Sequence, residues 1–363
     1  MKKDDLVAFR DRELSEYYAE LMDSPGRLRS ESAPIPPKTS QRIAIGGRRR
    51  GGNNYDLVIR VQNVAGRAIT RAREITERVR EQFGAKQVID FAVMKRVSAP
   101  SRRAVAQAGG RSGFGAKRVR PLSIGYSVGH RDGAPGTIGL FAKAADGIAV
   151  VSCNHVLALT NEARPKDWIY QASPPDLAAD TQHRIGRLAH FRELSTVGAN
   201  LIDAAYCVLE EQNEDEKLEP TENVIPLDAK SPDSGKSLRS VIDPFDMDPK
   251  NPVAKIGKAS GYTSEPVENV AIGINDVTVE FPGYGNHRFD NMIEVEWSDG
   301  RRPFARPGDS GSVLYQEKSL AAFGLHVASG EITRGRGGSK KTTKVSYACP
   351  LQTVLDIYNL ALL

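Results

Sequence analysis

From Pro121 onward the chain is a succession of short β-rich runs separated by glycine and proline. The runs are Ser123–Val128, Thr137–Phe141, Ile148–Ser152, Ile202–Leu209, Asp276–Phe281, Met292–Trp297, Ser312–Tyr315 and Ala321–Val327. No long amphipathic helix separates them, and only Leu351–Leu360 reads as a closing helix. Strands this short and this frequent cannot form a layered α/β fold, so the pattern predicts a β-sandwich or a pair of barrels.

The first 120 residues have a different texture and the opposite charge. Of the 363 residues, 1–120 carry a net charge of +13 and 121–363 a net charge of −8. Residues 5–22 predict a short helix with Leu6, Phe9, Tyr17 and Leu21 as its apolar points. From Asp23 to Asn54 the chain is rich in Pro, Gly, Ser and Arg, including Gly46-Gly-Arg-Arg-Arg-Gly-Gly52, and reads as a flexible basic linker. Tyr55–Val61 alternates as a strand, Ala65–Phe83 has a helical face of Ile69, Ala72, Ile75, Val79 and Phe83, and Val88–Val97 reads as a second strand. The expected organisation is therefore an N-terminal helix with its linker over 1–54 and a small α+β (βαβ) domain over 55–100. A second basic linker over 101–120 leads to a β domain over 121–363. On the helix, Arg67, Arg71 and Arg78 fit a solvated face, with Glu74 pairing Arg78, better than a nucleic-acid patch.

Several classes drop out. No run approaches the ~20 apolar residues of a membrane span, and the amino terminus lacks the apolar core of a secretory signal. Three scattered cysteines, Cys153, Cys207 and Cys349, fit neither a disulfide framework nor a zinc site. They read as reduced, buried thiols of a cytoplasmic protein, and no metal or cofactor is called for.

The chemistry is concentrated in three motifs. Arg306-Pro-Gly-Asp-Ser-Gly-Ser-Val313 sets Ser310 in a tight glycine-bearing loop, whose Gly308 and Ser310 N–H groups can converge on one point as an oxyanion hole. A serine nucleophile needs a general base, and the base needs an orienting carboxylate. Cys153-Asn-His-Val-Leu157 offers His155 where an apolar strand enters a turn. Asn200-Leu-Ile-Asp-Ala-Ala-Tyr206 offers Asp203, an acid in an apolar stretch that is costly unless paired. Either residue alone is read more readily as a turn histidine or a strand-end aspartate.

The order His155…Asp203…Ser310 and the contexts Ser-Cys-Asn-His, Ile-Asp-Ala-Ala and Gly-Asp-Ser-Gly-Ser resemble the chymotrypsin-like serine proteases, over roughly Pro121 to Leu363. Within that superfamily Tyr170-Gln-Ala-Ser-Pro-Pro-Asp176, Ile185-Gly-Arg-Leu188 and Lys255-Ile-Gly-Lys-Ala-Ser-Gly261 are similar to intracellular bacterial Nal1-like peptidases. The resemblance implies a double β-barrel with the site between the barrels and acyl transfer by Ser310, His155 and Asp203. It also implies that Phe323–Gly330 is the strand lining the specificity pocket. His326, Val327, Ala328, Ser329, Phe304 and Arg306 are then the candidate substrate-binding residues. A histidine in the string Gly-Leu-His-Val is similar to glutamyl endopeptidases and some viral proteases, which favours Glu or Gln at P1, with Arg302 and Arg306 adding positive potential. Phe304 stands where trypsin-type enzymes carry an acid, which disfavours cleavage after Lys or Arg.

In secreted relatives the acid before the nucleophile is paired by a new amino terminus. Here more than 120 residues precede the first barrel, so Asp309 needs another partner or the site is latent. The reading is a serine endopeptidase acting on a protein or peptide, controlled through residues 1–120 or by a regulatory protein bound there, with an effector role in a bacterial defence or stress system as one setting. The alternatives are a protease-fold peptide-binding module without turnover and a nucleic-acid-associated protein using its basic region, whose arginines lack interleaved aromatics. The basic region also suits docking on acidic protein surface, including the chain's own body.

Overall fold

In the computed structural model the described residues are 1–22, 42–62, 66–107, 113–177, 181–210, 220–299, 303–335 and 339–363. The apolar run at Ile148 forms the strand Gly147–Ser152, which pairs on one side with Leu140–Ala144 and on the other with Ala205–Leu209. Arg184–Phe191, Trp168–Tyr170, Ser127–His130 and Gly136–Thr137 continue this sheet, and Ala361–Leu362 adds to its other edge. The second sheet is built on the long strand Ala321–Arg334. It pairs with Val313–Gln316 and Lys341–Pro350, and Met292–Glu296 and Val270–Asn275 follow. The mainly β, double-barrel architecture expected from the sequence is the one observed.

The N-terminal region departs from expectation. Arg42–Gly51 is a strand, not a linker, and it pairs antiparallel with both Asn54–Gln62 and Val270–Asn275. Asn54–Gln62 pairs in parallel with Ile89–Met94 across the helix Gly66–Phe83, as the βαβ pattern predicts. Ile89–Met94 then pairs with Ala321–Arg334, placing Met94 opposite Ile332. Seven strands thus close a ring: 42–51, 54–62, 89–94, 321–334, 341–350, 292–296 and 270–275. The strands 42–51, 54–62 and 89–94 thus pair within the second sheet of the 121–363 body. Residues 23–41 of the expected linker lie outside the described residues. Of the expected linker at 101–120, Arg102–Gln107 is helical and Gly115 N–H donates to the Lys258 carbonyl.

Of the glycines in 46–52, Gly46 and Gly47 serve close packing, while Gly51 and Gly52 face open space at positive φ. A Cβ at Gly46 would stand 2.6 Å from Ile274 Cγ1 and 2.8 Å from the Ile272 carbonyl, where a bulge shifts the register against 270–275. The neighbouring arginines are occupied as well. Arg48 pairs with Asp90 at 3.2 Å and Glu296 at 3.3 Å.

Those pairs belong to a network spanning six of the seven ring strands. The Arg60 guanidinium is fully buried and donates to both Glu294 oxygens, at 2.7 and 3.0 Å, and to Asp90 Oδ2 at 2.8 Å. Arg334 bridges Asp90 and Glu296, and Tyr347 O–H donates to Glu294 Oε2 at 2.6 Å. Burial alone would raise the Glu294 carboxyl; Arg60 and Tyr347 hold it below its ordinary value. Three arginines meet three carboxylates, so the charges balance.

The helix Lys3–Met22 packs Leu6, Phe9, Leu14 and Tyr17 into the cluster that holds Ile43, Ile59, Ala72 and Ile75. Arg71 and Arg78 reach Glu13 and Glu16 of that helix, and Glu74 pairs with Arg71, not with the expected Arg78. Several basic side chains of the N-terminal region meet carboxylates of the acidic body: Arg42 with Asp276 at 2.6 Å, Lys95 with Glu331, Arg96 with Glu280 and Lys117 with Asp228.

Arg60→Met leaves Glu294 buried without its cation and is expected to cost about 3–5 kcal/mol in urea unfolding. The double variant Arg60→Met/Glu294→Met is expected to be more stable than Arg60→Met alone.

Candidate active site

Strand register brings the first two motif residues together. Ala205 lies opposite Ser152, so the residue two before Ala205 stands beside the turn three residues beyond Ser152. That turn, Asn154–Leu157, carries His155. His155 Nδ1 lies 2.5 Å from Asp203 Oδ2, and the His155 backbone N–H donates to Asp203 Oδ1 at 3.2 Å. Both carboxylate oxygens therefore face one histidine, fixing its ring. Asp203 is fully buried, with its own N–H on Cys349 Sγ at 3.3 Å. The Phe281 ring meets the imidazole edge-on at 5.5 Å between centroids. His155 Nε2 is buried, with no protein partner among the described residues.

Ser310 comes from the second sheet, just before the strand Val313–Gln316. The first sheet clamps its loop: Thr137 N–H donates to the Ser310 carbonyl at 2.8 Å and Thr137 Oγ1 to the Gly308 carbonyl at 2.9 Å. Gly311, at φ +89°, has no space for a Cβ, which would stand 2.0 Å from Ser152 Oγ. Ser310 O–H donates to the Val327 carbonyl at 3.3 Å, not to His155. A hydrogen bond between the candidate nucleophile and the candidate base is not made, a common state of unliganded sites. Gly308 has φ +109°, and among the described residues neither its N–H nor that of Ser310 donates to a protein acceptor.

Asp309 has the partner that the sequence left open. Lys255 Nζ donates to Asp309 Oδ2 at 2.8 Å, and both side chains are fully buried. Arg306 N–H donates to the same oxygen at 2.9 Å, while Ala259 and Ser260 N–H groups donate to Oδ1 at 2.9 and 3.1 Å. Burial pushes the Asp309 carboxyl up, and Lys255 with these donors brings it below its ordinary value. Burial pulls the Lys255 ammonium down while Asp309 supports it. A Cβ at Gly257 would stand 2.2 Å from Asp309 Oδ1, so glycine is required for this approach. Three residues on, Lys258 pairs with Asp176 at 2.7 Å, and Asp176 also accepts from Ser127 Oγ at 2.5 Å. Lys255, Lys258, Asp176 and Thr137 were not named as site residues. The available signal was Lys255-Ile-Gly-Lys258, whose two lysines lie in a strand and the turn after it.

The specificity candidates lie close to this loop. His326, Val327, Ala328 and Phe304 are buried, Ser329 is half-buried and Arg306 is exposed. The His326 carbonyl accepts from Gly311 N–H at 2.8 Å and from Cys153 S–H at 3.2 Å. Burial, with the Lys255 ammonium nearby, pushes the His326 imidazole down to about 3, so it is neutral, and its Nδ1 has no partner. The Phe304 ring lies 5.5 Å from Lys255 Nζ, which helps to hold that cation. Arg302 lies outside the described residues.

Cys153, His155 and Asp203 offer ligand atoms within 4.8 Å of one another. The donor chemistry does not suit a metal. Burial pushes the Cys153 thiol well above its ordinary value and its proton is held by the His326 carbonyl, while both Asp203 oxygens are engaged by His155.

No protein-family model matches the chain, and no curated protein does. Solved structures do. One is a glutamic acid-specific serine protease described as using a novel histidine triad in substrate binding, at 16% identity and TM-score 0.41, covering 67% of this chain and 100% of that one. Cellulomonas bogoriensis chymotrypsin matches at 15% identity and TM-score 0.39, over 67% of this chain and 98% of that chain. Thermobifida fusca protease A matches at 11% identity and TM-score 0.39, with the same two coverages.

Lys255→Met leaves the Asp309 carboxylate buried and unpaired, with an expected loss of about 3–5 kcal/mol by thermal unfolding. Lys255→Met/Asp309→Asn is expected to recover part of that loss. Because folded His326 takes up a proton only near pH 3 and an unfolded histidine does so near 6.5, the unfolded state binds more protons between those values. Its contribution therefore lowers stability by about 1.4 kcal/mol per pH unit as pH falls below about 6.5. Melting curves of His326→Gln from pH 7 to 4 are expected to fall less steeply than those of the wild type.

Proposed function

We propose that the chain is a serine endopeptidase in which Ser310 attacks a peptide carbonyl. His155 takes the Ser310 proton and returns it to the leaving amine, and Asp203 holds the imidazole tautomer and supports the imidazolium. The observation that carries this reading is the His155–Asp203 pair: one hydrogen bond orients the ring, a second ties the His155 backbone N–H to the same carboxylate, and among the described residues the opposite nitrogen, Nε2, has no partner. Rotation of the Ser310 side chain away from the Val327 carbonyl supplies that partner. Gly308 and Ser310 N–H groups are the proposed oxyanion donors, on a loop held by Lys255–Asp309 and Thr137. Bonds balance in the usual way: the serine ester forms as the amine leaves, and water then releases the acid.

For the P1 side chain we favour glutamine or glutamate. The support is the unpartnered Nδ1 of His326 and the absence of an acid at Phe304. The nucleic-acid alternative is weakened by the internal pairing of Arg48, Arg60, Arg71 and Arg78. The binding-module alternative is separated by chemistry.

A fluorophosphonate probe is expected to label the wild type at Ser310, with Ser310→Ala unlabelled and His155→Ala slower by about 10²-fold or more. A folded protein that resists labelling with the cleft open would leave the binding module as the better reading. Peptide substrates with Gln or Glu at P1 are expected to turn over faster than those with Lys.

A further inference from the structure

The strand edge that runs on from the nucleophile is already occupied from Ser329 onward. Ser310 Oγ lies 3.3 Å from the Val327 carbonyl, so a peptide with its carbonyl at Ser310 must run along Ala321–Arg334 at Val327–Ser329. Extended peptides join such edges through main-chain hydrogen bonds. Here the edge carries residues of the same chain. Val93 lies opposite Thr333, Met94 opposite Ile332 and Ser98 opposite Ser329, all antiparallel, with Lys95 N–H on the Glu331 carbonyl at 2.8 Å. Val277–Phe281 holds the segment from its other side, with Val97 beside Val279 and Ala99 N–H on the Glu280 carbonyl at 2.9 Å.

The segment continues along the cleft. Ala99, Pro100 and Ser101 line a cavity of about 210 Å³ together with His155 and Phe281. Ser101 Oγ then accepts from Ala104 N–H at 3.1 Å at the start of the helix Arg102–Gln107. That helix sets Val105 against the nucleophile loop, where Val105 Cγ1 would stand 3.6 Å from a Cβ at Gly308. In order, residues 97–105 meet the strand edge, the candidate base and the candidate oxyanion glycine. His155 is left 8% exposed and Ser310 2%.

We propose that Val97–Gln107 is a built-in occupant of the peptide-binding edge that shuts the cleft, and that access to Ser310 requires its displacement. This rests on the peptidase reading for its consequence but not for its geometry. The extended part imitates a bound peptide as far as Ala99. The helix from Arg102 takes the backbone out of the extended form, so the segment blocks the cleft without presenting an extended chain across the nucleophile. Lys95–Glu331 and Arg96–Glu280 pin it at an exposed rim, where salt weakens ion pairs.

The test uses the full chain and two readouts, fluorophosphonate labelling of Ser310 and amide exchange at His326–Ser329. Val97 and Ala99 are each 2% exposed, so Val97→Asp and Ala99→Asp are expected to expel the segment. Each should label about tenfold faster than the wild type or more, with faster exchange at the edge and a retained circular-dichroism spectrum. A synthetic peptide spanning residues 93–107 should slow the variants again. Ser98→Cys/Ser329→Cys, which joins opposed residues of an antiparallel pair, should label more slowly when oxidised than when reduced. Folded Asp variants that match the wild type in both labelling and exchange, or a crosslink without effect, would overturn the proposal. Faster exchange with no labelling in any variant would keep the occlusion and overturn the peptidase reading.

Discussion

The buried contact between Arg60, Glu294 and Asp90 is the constraint on which the rest of the molecule depends. Arg60 and Asp90 come from the basic N-terminal strands, and Glu294 from a strand of the acidic body. A buried guanidinium is tolerated only where carboxylates and hydrogen bonds surround it, so these strands can pair in few ways. Slipping any strand by one residue would turn its charges to the opposite face. The network therefore sets the register of the ring as well as its charge balance.

That register has a consequence at the cleft. Once Ile89–Met94 is fixed beside Ile332 and Thr333, the next residues are aimed along the edge at Ser329. The residues that follow line the cavity beside His155 and bring Val105 to the Gly308 loop. Beneath them, a second buried pair, Lys255–Asp309, holds the Ser310 loop from within the body. The loop is thus organised without any cut in the chain, and the covering segment is a separate matter.

Much of this was legible in the sequence. The runs at Ile148, Met292 and Ala321 became strands because β-branched and aromatic residues between glycine and proline leave few other structures. The helical face from Ile69 to Phe83 was equally plain. His155 and Asp203 were found because an acid in an apolar stretch needs a partner, and the structure sets them 2.5 Å apart. Other features left no local trace. Gly46–Gly52 has the composition of a linker, and only the contacts of Gly46 with Ile272 and Ile274 and of Gly47 with Leu6 show that these two glycines serve close packing. Nothing local to Lys255 marks it as buried, because burial of a charge depends on a partner 54 residues away.

The sequence by itself determined the β character of the body, the βαβ order before it, and the three motifs with their candidate chemistry. Each of these rests on residues near one another along the chain, where periodicity, turn chemistry and the demands of a nucleophile can be read directly. Only the tertiary structure decided that the two regions of opposite charge share one sheet, that Lys255 holds Asp309, and that residues 97–105 lie across the candidate site. The reason is that pairing energies between distant strands and buried charges depend on which groups meet after the chain has closed. A net charge of +13 facing −8 records that the halves attract, without recording where they touch.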